Sequence, residues 1–313
     1  MKDIPILSPS VPVYPPAMPI LSYSISETTP YINWIYYFHA WGFQPKFATI
    51  ADLHGCDSCR ALWLARFPET DRAKAAEAMQ LFKEAQRMLV RLENILTCKC
   101  VYRLCCANAD GDNLLLDGMS FPLLRQQSTT ANKEFYLCLS DFVRPLSSGK
   151  ADTVGVFAAT VAGDTDSLYT DDPYQHLLVQ TLADRLAEAA TEKMHEYIRK
   201  NTWGYVPNET LSIAELLQEK FQGIRPAVGY PSLPDQSVNF LIDQLLDLEQ
   251  IGITLTTNGA MHPHASVSGL MLAHPAARYF SVGHIDQEQL EDYARRRGMP
   301  IEQMRKFLSS NLE

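Results

Sequence analysis

Two long runs of helical hydrophobic periodicity, separated by several strand-like segments rather than by one strand each, constrain the fold of this chain more than any other feature. From Thr70-Asp71 onward, Ala78, Phe82, Ala85, Leu89, Leu92 and Leu96 recur at three- and four-residue steps, the stripe that an amphipathic helix presents to a core. Asp172-Pro173 supplies an N-cap and a proline at the first helical position, and Leu178, Leu182, Leu186, Ala189, Met194 and Tyr197 continue an apolar face until Trp203-Gly204. This pattern predicts the longest helix. Between the two lie Cys98 to Cys106, Lys133 to Leu139 and Thr153 to Val161, rich in aromatic, Val, Thr, Cys and Ala residues, which read as strands.

The second half continues the uneven grouping. Ser212-Ile213-Ala214-Glu215 is a capping box, Asp235 opens a helix carrying Val238, Ile242, Leu245 and Leu248, and Asp286 opens one that ends at Gly298. Ala265 to Leu272 and Tyr279 to Ile285 read as strands, and the short link His274 to Arg278 suits an antiparallel hairpin. Strands and helices that do not alternate strictly favour α+β over a doubly wound sheet. Six of the 19 prolines fall in the first 20 residues, so residues 1–24 are expected to form an extended arm over a single domain spanning 25–313.

Charge and cysteine usage exclude several function classes. Thirty-six acidic against 27 basic residues leave a net charge of -9, a poor match for a nucleic-acid backbone. The run Arg295-Arg296-Arg297 falls at a helix end, where cations complement the helix dipole. No apolar run approaches the roughly 20 residues needed to span a bilayer, and Met1-Lys2-Asp3-Ile4-Pro5 lacks the design of a signal peptide. Seven cysteines, an odd number, fit a reducing compartment better than a disulfide framework, so a cytoplasmic protein is expected. Cys56 and Cys59 form a C-x-x-C pair that could join Cys98, Cys100, Cys105 or Cys106 in a thiolate site for zinc or an iron–sulfur cluster. Against that, the second group alternates within a strand-like run, where free cysteines are usually buried, and no metal ligand is assigned.

The segment richest in chemistry is Gly223-Ile224-Arg225-Pro226-Ala227-Val228-Gly229-Tyr230-Pro231. Pro226 and Pro231 stiffen it, and Ala227 and Gly229 let a ligand approach the backbone. Its arginine can hold a carboxylate by two parallel hydrogen bonds, while Gly-Tyr-Pro alone could be a rigid turn with a packed tyrosine. Ala265-Ser266-Val267-Ser268-Gly269 is a strand of small residues that leaves room above a sheet, and its expected hairpin partner brings Tyr279 and Phe280 near.

With these segments in hand, the chain resembles the activation domain of cobalamin-dependent methionine synthase. Similar strings stand in the same order: Leu124-Arg125-Gln126-Gln127, Asp141-Phe142-Val143, Ala183-Asp184-Arg185-Leu186-Ala187-Glu188-Ala189, Trp203-Gly204-Tyr205, the Arg225–Pro231 loop, Ala265 to Gly269, His274-Pro275, and Glu291 to Arg296. They cover about residues 25 to 312. The resemblance implies a free-standing, C-shaped α+β domain with a twisted antiparallel sheet and flanking helices that binds S-adenosylmethionine on its concave face. It places Arg225 at the methionine carboxylate, the backbone of Ala227 near the adenosine, Tyr279 beside the ligand, and Glu188 and Glu219 near the sulfonium. Gly229, Tyr230 and Phe280 complete the site. The family's aspartate for the ligand ammonium corresponds to Asn33, which keeps an acceptor but loses the charge. His262 and His264 stand where the family commonly shows tryptophan and glycine, and would be two ligands of a metal without a third.

The implied activity is reductive methylation of cob(II)alamin held by a partner methionine synthase that lacks its own activation domain, with a flavodoxin-like or other reductant supplying the electron. No D-x-H-x-x-G motif for corrinoid binding occurs, the nearest approach being Asp52-Leu53-His54-Gly55-Cys56-Asp57, and no G-x-G-x-x-G follows a strand. No side chain need act as nucleophile, so the chain is expected to be inactive alone. Two other functions remain open at this level: a non-catalytic module that senses S-adenosylmethionine or attends a corrinoid protein, and a redox module built on Cys56, Cys59, Cys98 and Cys100.

Overall fold

The computed structural model describes residues 18–53, 55–127 and 136–312. In chain order it runs β1 (Ile20–Tyr23), α1 (Ile25–Thr28), α2 (Trp34–Ala40), α3 (Asp57–Ala65), α4 (Glu69–Leu92), β2 (Thr97–Asp110), β3 (Asn113–Leu116), β4 (Met119–Pro122) and β5 (Asp152–Ala162). There follow α5 (Pro173–Tyr197), α6 (Ile213–Leu216), α7 (Asn239–Leu246), β6 (Thr254–Leu255), β7 (Met261–His262), β8 (Ser266–Met271), α8 (Gln287–Arg297) and α9 (Ile301–Phe307). The result is the expected α+β single domain, with a curled antiparallel sheet and flanking helices.

Alternation within the strands explains why helices cover both sides of the sheet. In β2, Cys98, Cys100, Tyr102 and Leu104 join a core with α4 and α5, while Val101, Cys105, Ala107 and Ala109 join a second core with α7. Strand β5 splits likewise, Phe157, Ala159 and Val161 to one core and Val154, Val156 and Ala158 to the other. Each large apolar side chain so buried contributes about 1.5–3 kcal/mol over exposure. The strand order is β4-β3-β2-β5-β8, and β2 pairs with β5 from Thr97↔Ala162 to Ala107↔Asp152. The other edge of β2 is shared, its first half pairing with β1 and its last residues with β3.

Helix α5 lies against this sheet. The Asp172 carboxylate accepts the N–H groups of Tyr174 and Gln175, both at 3.1 Å, and Pro173 takes the first helical position. Beyond Tyr197 the helix widens into a π-type turn, Ile198–Thr202, which carries Arg199 into the interior. There the guanidinium meets Glu209 at 2.6 Å and stacks 4.2 Å from the Phe221 ring centroid, so a buried charge is paired. Asp235 opens a 3-10 turn leading into α7, and its carboxylate accepts the Tyr293 hydroxyl of α8 at 2.8 Å.

Some expectations need correction. Ile20–Tyr23 pairs with β2, so the end of the proline-rich segment belongs to the sheet; residues 1–17 lie outside the described residues. The segment Tyr279 to Ile285 is not a strand of a hairpin with β8. It runs beside Pro231 and Ser232 instead, with Val282 N–H donating to Pro231 O at 2.8 Å. The edge of β8 that it would have used is taken by another segment, described below. Of the strand expected over 133–139, residues 133–135 lie outside the described residues, and the rest is no strand: Cys138 makes a single antiparallel bridge to Arg125 and Leu139–Phe142 is a 3-10 turn. The arginine run closes α8 structurally: Arg296 binds Asp292 at 2.7 Å and Leu123 O at 3.0 Å, and Gly298 takes a φ of +63° at the C-cap. Among the described residues no helix is long and apolar enough to cross a membrane.

Candidate functional site

Residues three, four and seven apart on a helix share a face, and α5 uses this to point Arg185, Glu188, Ala189 and Glu192 into a cleft of about 550 Å³. The opposite wall is the loop from Arg225 to Pro231, closed at its ends by Tyr31, Asn33 and Tyr36, by Leu217 and Glu219, and by Tyr279 and Phe280.

The loop owes its position to β8. Ile224 and Leu272 exchange two backbone hydrogen bonds at 2.9 Å, Leu270 N–H donates to Pro226 O at 3.0 Å, and Val228 N–H to Ser268 O at 2.9 Å. The loop is thus an irregular extra strand on the edge of the sheet. The small residues of β8 make room for this backbone, not for a ligand above the sheet: a Cβ at Gly269 would stand 2.2 Å from Pro226 O and 2.9 Å from Ala227 Cα. Gly229 adopts a φ of +86° and bonds to Leu233 O, turning the chain so that Tyr230 reaches the cleft. Gly229 itself is not among the cleft walls.

Arg225 is buried beneath this cleft. Its Nη2 donates to Glu192 Oε1, its guanidinium carbon lies 5.6 Å from the Phe157 ring centroid, and its backbone N–H donates to the Tyr279 hydroxyl at 3.0 Å. Burial opposes its charge, but the Glu192 carboxylate, together with Tyr279 and Glu188, offsets that and holds the guanidinium ionised. Its Nε finds no acceptor among the described residues. Burial pushes the Tyr279 phenol up to about 12, with Arg225 acting against the rise.

Three carboxylates face two guanidiniums here. Glu188 accepts the Tyr230 hydroxyl at 2.7 Å, and burial together with this carboxylate raises the pKa of Tyr230. Glu219 sits at a φ of +57°, just past α6, and burial followed by repulsion from Glu192 raises its carboxyl above the ordinary value, while Arg225 opposes the rise. With Arg185 and Arg225 as the cations, the lining carries one net negative charge when all five groups are ionised. Asn33 is the N-cap of α2, its Oδ1 accepting the Ile35 N–H at 3.1 Å. Tyr31 is fixed by its hydroxyl bond to Glu196 at 2.6 Å.

The cleft therefore gathers Asn33, Glu188, Glu219, Arg225, Ala227, Tyr230, Tyr279 and Phe280 from five separate parts of the chain. Sequence reasoning missed Glu192, Arg185, Tyr31 and Tyr36. Glu192 was signalled by its place one helical turn after Glu188; the tyrosines had no such signal. Among the described residues no group of three or more His, Cys, Asp and Glu could hold a metal. His264 Nδ1 meets Asp184 Oδ1 at 3.2 Å. Cys98, Cys100 and Cys105 are buried in β2, away from Cys56 and Cys59 on α3, and His54 lies outside the described residues.

Residues 24–298 match the family model described as "Vitamin B12 dependent methionine synthase, activation domain". Among solved structures, the chain resembles one titled "Crystal Structure of the MetH Reactivation Domain bound to AdoHcy", with 37% sequence identity and a TM-score of 0.82 over 95% of this chain and 90% of that one.

Proposed function

The chain belongs to the activation-domain family of vitamin B12-dependent methionine synthase, and from that premise we propose that its cleft binds S-adenosylmethionine and presents the methyl group to a cobalamin held by a partner methionine synthase. The observation that carries the reading is the buried Arg225–Glu192 pair set among further carboxylates in one cleft. At neutral pH the ligand has a carboxylate, an ammonium and a fixed sulfonium, one net positive charge, which complements the one net negative charge of the lining. The solved relative is bound to AdoHcy, a ligand of the same skeleton without the sulfonium charge.

In this reading Arg225, oriented by Glu192 through one nitrogen, offers its remaining donors to the ligand carboxylate. The backbone around Ala227 flanks the adenosine, and Tyr279, which already fixes the Arg225 backbone, lies beside it. Glu188 and Glu219 stabilise the sulfonium, a fixed cation with no ionisable proton to shed in a low dielectric. Asn33 offers a neutral acceptor to the ammonium. When bound, the ligand supplies the methyl group for reductive methylation of cob(II)alamin, with a flavodoxin-like or other reductant providing the electron. The chain contributes proximity, orientation and charge, and no side chain in the cleft acts as a nucleophile.

The test is rescue in trans. Mixed with a methionine synthase lacking its activation module, inactive cob(II)alamin and a low-potential reductant, the chain should restore methylcobalamin only when S-adenosylmethionine is present, and should transfer no methyl group by itself. Rescue that proceeds equally well without S-adenosylmethionine would make the chain a docking or electron-transfer partner. Binding without rescue would favour a sensing module.

A further inference from the structure

Away from the cleft, Cys56 and Cys59 form a feature that methyl-donor binding does not use. Of the seven cysteines, Cys98, Cys100, Cys105 and Cys138 are buried, and burial raises the pKa of each thiol. Such thiols are poor nucleophiles and out of reach of reagents. Cys106 is exposed, but the other cysteines of its strand, Cys98, Cys100 and Cys105, are buried. Cys56 is exposed and Cys59 half-buried, one turn apart at the start of α3.

The local geometry joins the two sulfurs. Gly55, at a φ of +78°, turns the chain so that Cys56 becomes the N-cap of the nine-residue helix α3. Its Sγ accepts the backbone N–H of Cys59 at 3.1 Å, which folds the Cys56 side chain back over the first turn of the helix. Ser, Thr, Asp or Asn normally fills this position, because a thiol is a weak acceptor. A thiolate is a strong one, and the helix terminus favours its charge. The neighbouring Cys59 side chain is the leading influence that lowers Cys56, and Cys56 in return raises Cys59. A nucleophile and a second thiol that stays protonated until needed are the two parts of a thiol–disulfide couple. Among the described residues no third ligand joins the pair.

We propose that Cys56 and Cys59 are a redox-active dithiol, which a small-molecule disulfide converts reversibly into a Cys56–Cys59 disulfide. The Cys56 thiolate attacks one sulfur of RS–SR, forming a Cys56–SR bond and releasing RS⁻. Cys59 then gives its proton to solvent and attacks Cys56 Sγ, forming the internal disulfide and releasing the second RS⁻. Two electrons pass from the cysteine pair to the small disulfide, which leaves as two thiols.

The experiment equilibrates the full chain with mixtures of reduced and oxidised glutathione, quenches in acid, alkylates, and measures the peptide that holds both residues by mass spectrometry. The expected result is loss of two hydrogens from that peptide in oxidising mixtures, reversed in reducing ones. Cys59→Ser should instead accumulate one glutathione on Cys56. Cys56→Ser, which keeps a capping oxygen, should give neither disulfide nor adduct at Cys59. Before oxidation, Cys56 should alkylate at least about tenfold faster than Cys106 at neutral pH. The proposal is overturned if the wild-type pair stays reduced in every mixture, if disulfides form only between molecules, or if Cys106 takes up glutathione as readily as Cys56 does in Cys59→Ser.

Discussion

Replacing Arg225 by alanine should cost stability as well as ligand affinity, and changing Glu192 at the same time separates the two losses. The Arg225 side chain is 7% exposed and that of Glu192 17%, so Arg225→Ala strands a largely buried carboxylate beside Glu219, which already feels its repulsion. Breaking a buried pair from one side costs about 3–5 kcal/mol, and the partial exposure of Glu192 puts the expectation at the lower end, about 3 kcal/mol. An unfolding entropy of roughly 2.1 cal/mol/K per residue gives about 0.66 kcal/mol/K for a chain of 313 residues. The melting midpoint should therefore fall by about 5 °C. Arg225→Ala combined with Glu192→Gln leaves no stranded charge and should recover about 1–2 kcal/mol of that loss. Ligand affinity should not recover: losing hydrogen bonds to the ligand carboxylate costs about 1.5–3 kcal/mol, roughly 10- to 150-fold in Kd. Scanning calorimetry reads the first effect and titration calorimetry with S-adenosylmethionine the second. A double variant as unstable as Arg225→Ala would refute the pairing, and wild-type affinity in Arg225→Ala would refute the role given to the guanidinium.

Asn33→Asp should keep the cap of α2 and tighten S-adenosylmethionine binding by about 0.5–1.5 kcal/mol, as a neutral hydrogen bond becomes charge-assisted; titration showing no gain would place the ammonium elsewhere. Gly269→Ala should destabilise the chain by about 1–3 kcal/mol through overlap with the Pro226–Ala227 backbone and weaken ligand binding, whereas an unchanged melting curve would mean that the loop is not seated on β8 as described. The raised carboxyl of Glu219 sets a pH dependence whose two signs differ. Its folded-state pKa exceeds the unfolded value, so this group stabilises the unliganded fold below the usual carboxylate range and loses that contribution as pH rises through the folded value. Binding of the cationic ligand needs the ionised form and should weaken as pH falls through the same window, beginning above the ordinary carboxylate value; Glu219→Gln should flatten this dependence, and an equally steep one in that variant would assign it to another group.

How far the sequence could be read depended on whether a feature was written locally. The caps at Asp172, Ser212, Asp235 and Asp286 and the period of α4 and α5 are short-range signals, and each element starts where they place it to within a residue or, for α7, after one 3-10 turn. Tyr279 to Ile285 has strand-like composition too, but whether it pairs was decided by competition for one sheet edge, which the loop after Gly223 wins through its bonds to Leu272, Leu270 and Ser268. Composition carries no record of that contest. The family resemblance placed Arg225 and its neighbours in order along the chain, yet it did not reveal that Arg225 has an internal anion. Glu192 becomes visible as its partner only once α5 is laid across the sheet.

The seating of that loop also bears on how the chain behaves in crowded solution. Strand β8 ends the sheet, and an uncovered strand edge is a template on which a second molecule can add its own strand. Here the covering segment is the same one that forms a wall of the ligand cleft. Damage to the loop should therefore do more than lower affinity: it bares unpaired amides and carbonyls at Ser268, Leu270 and Leu272, so variants with a poorly seated loop should self-associate, and a bound ligand that holds the loop down should keep them monodisperse.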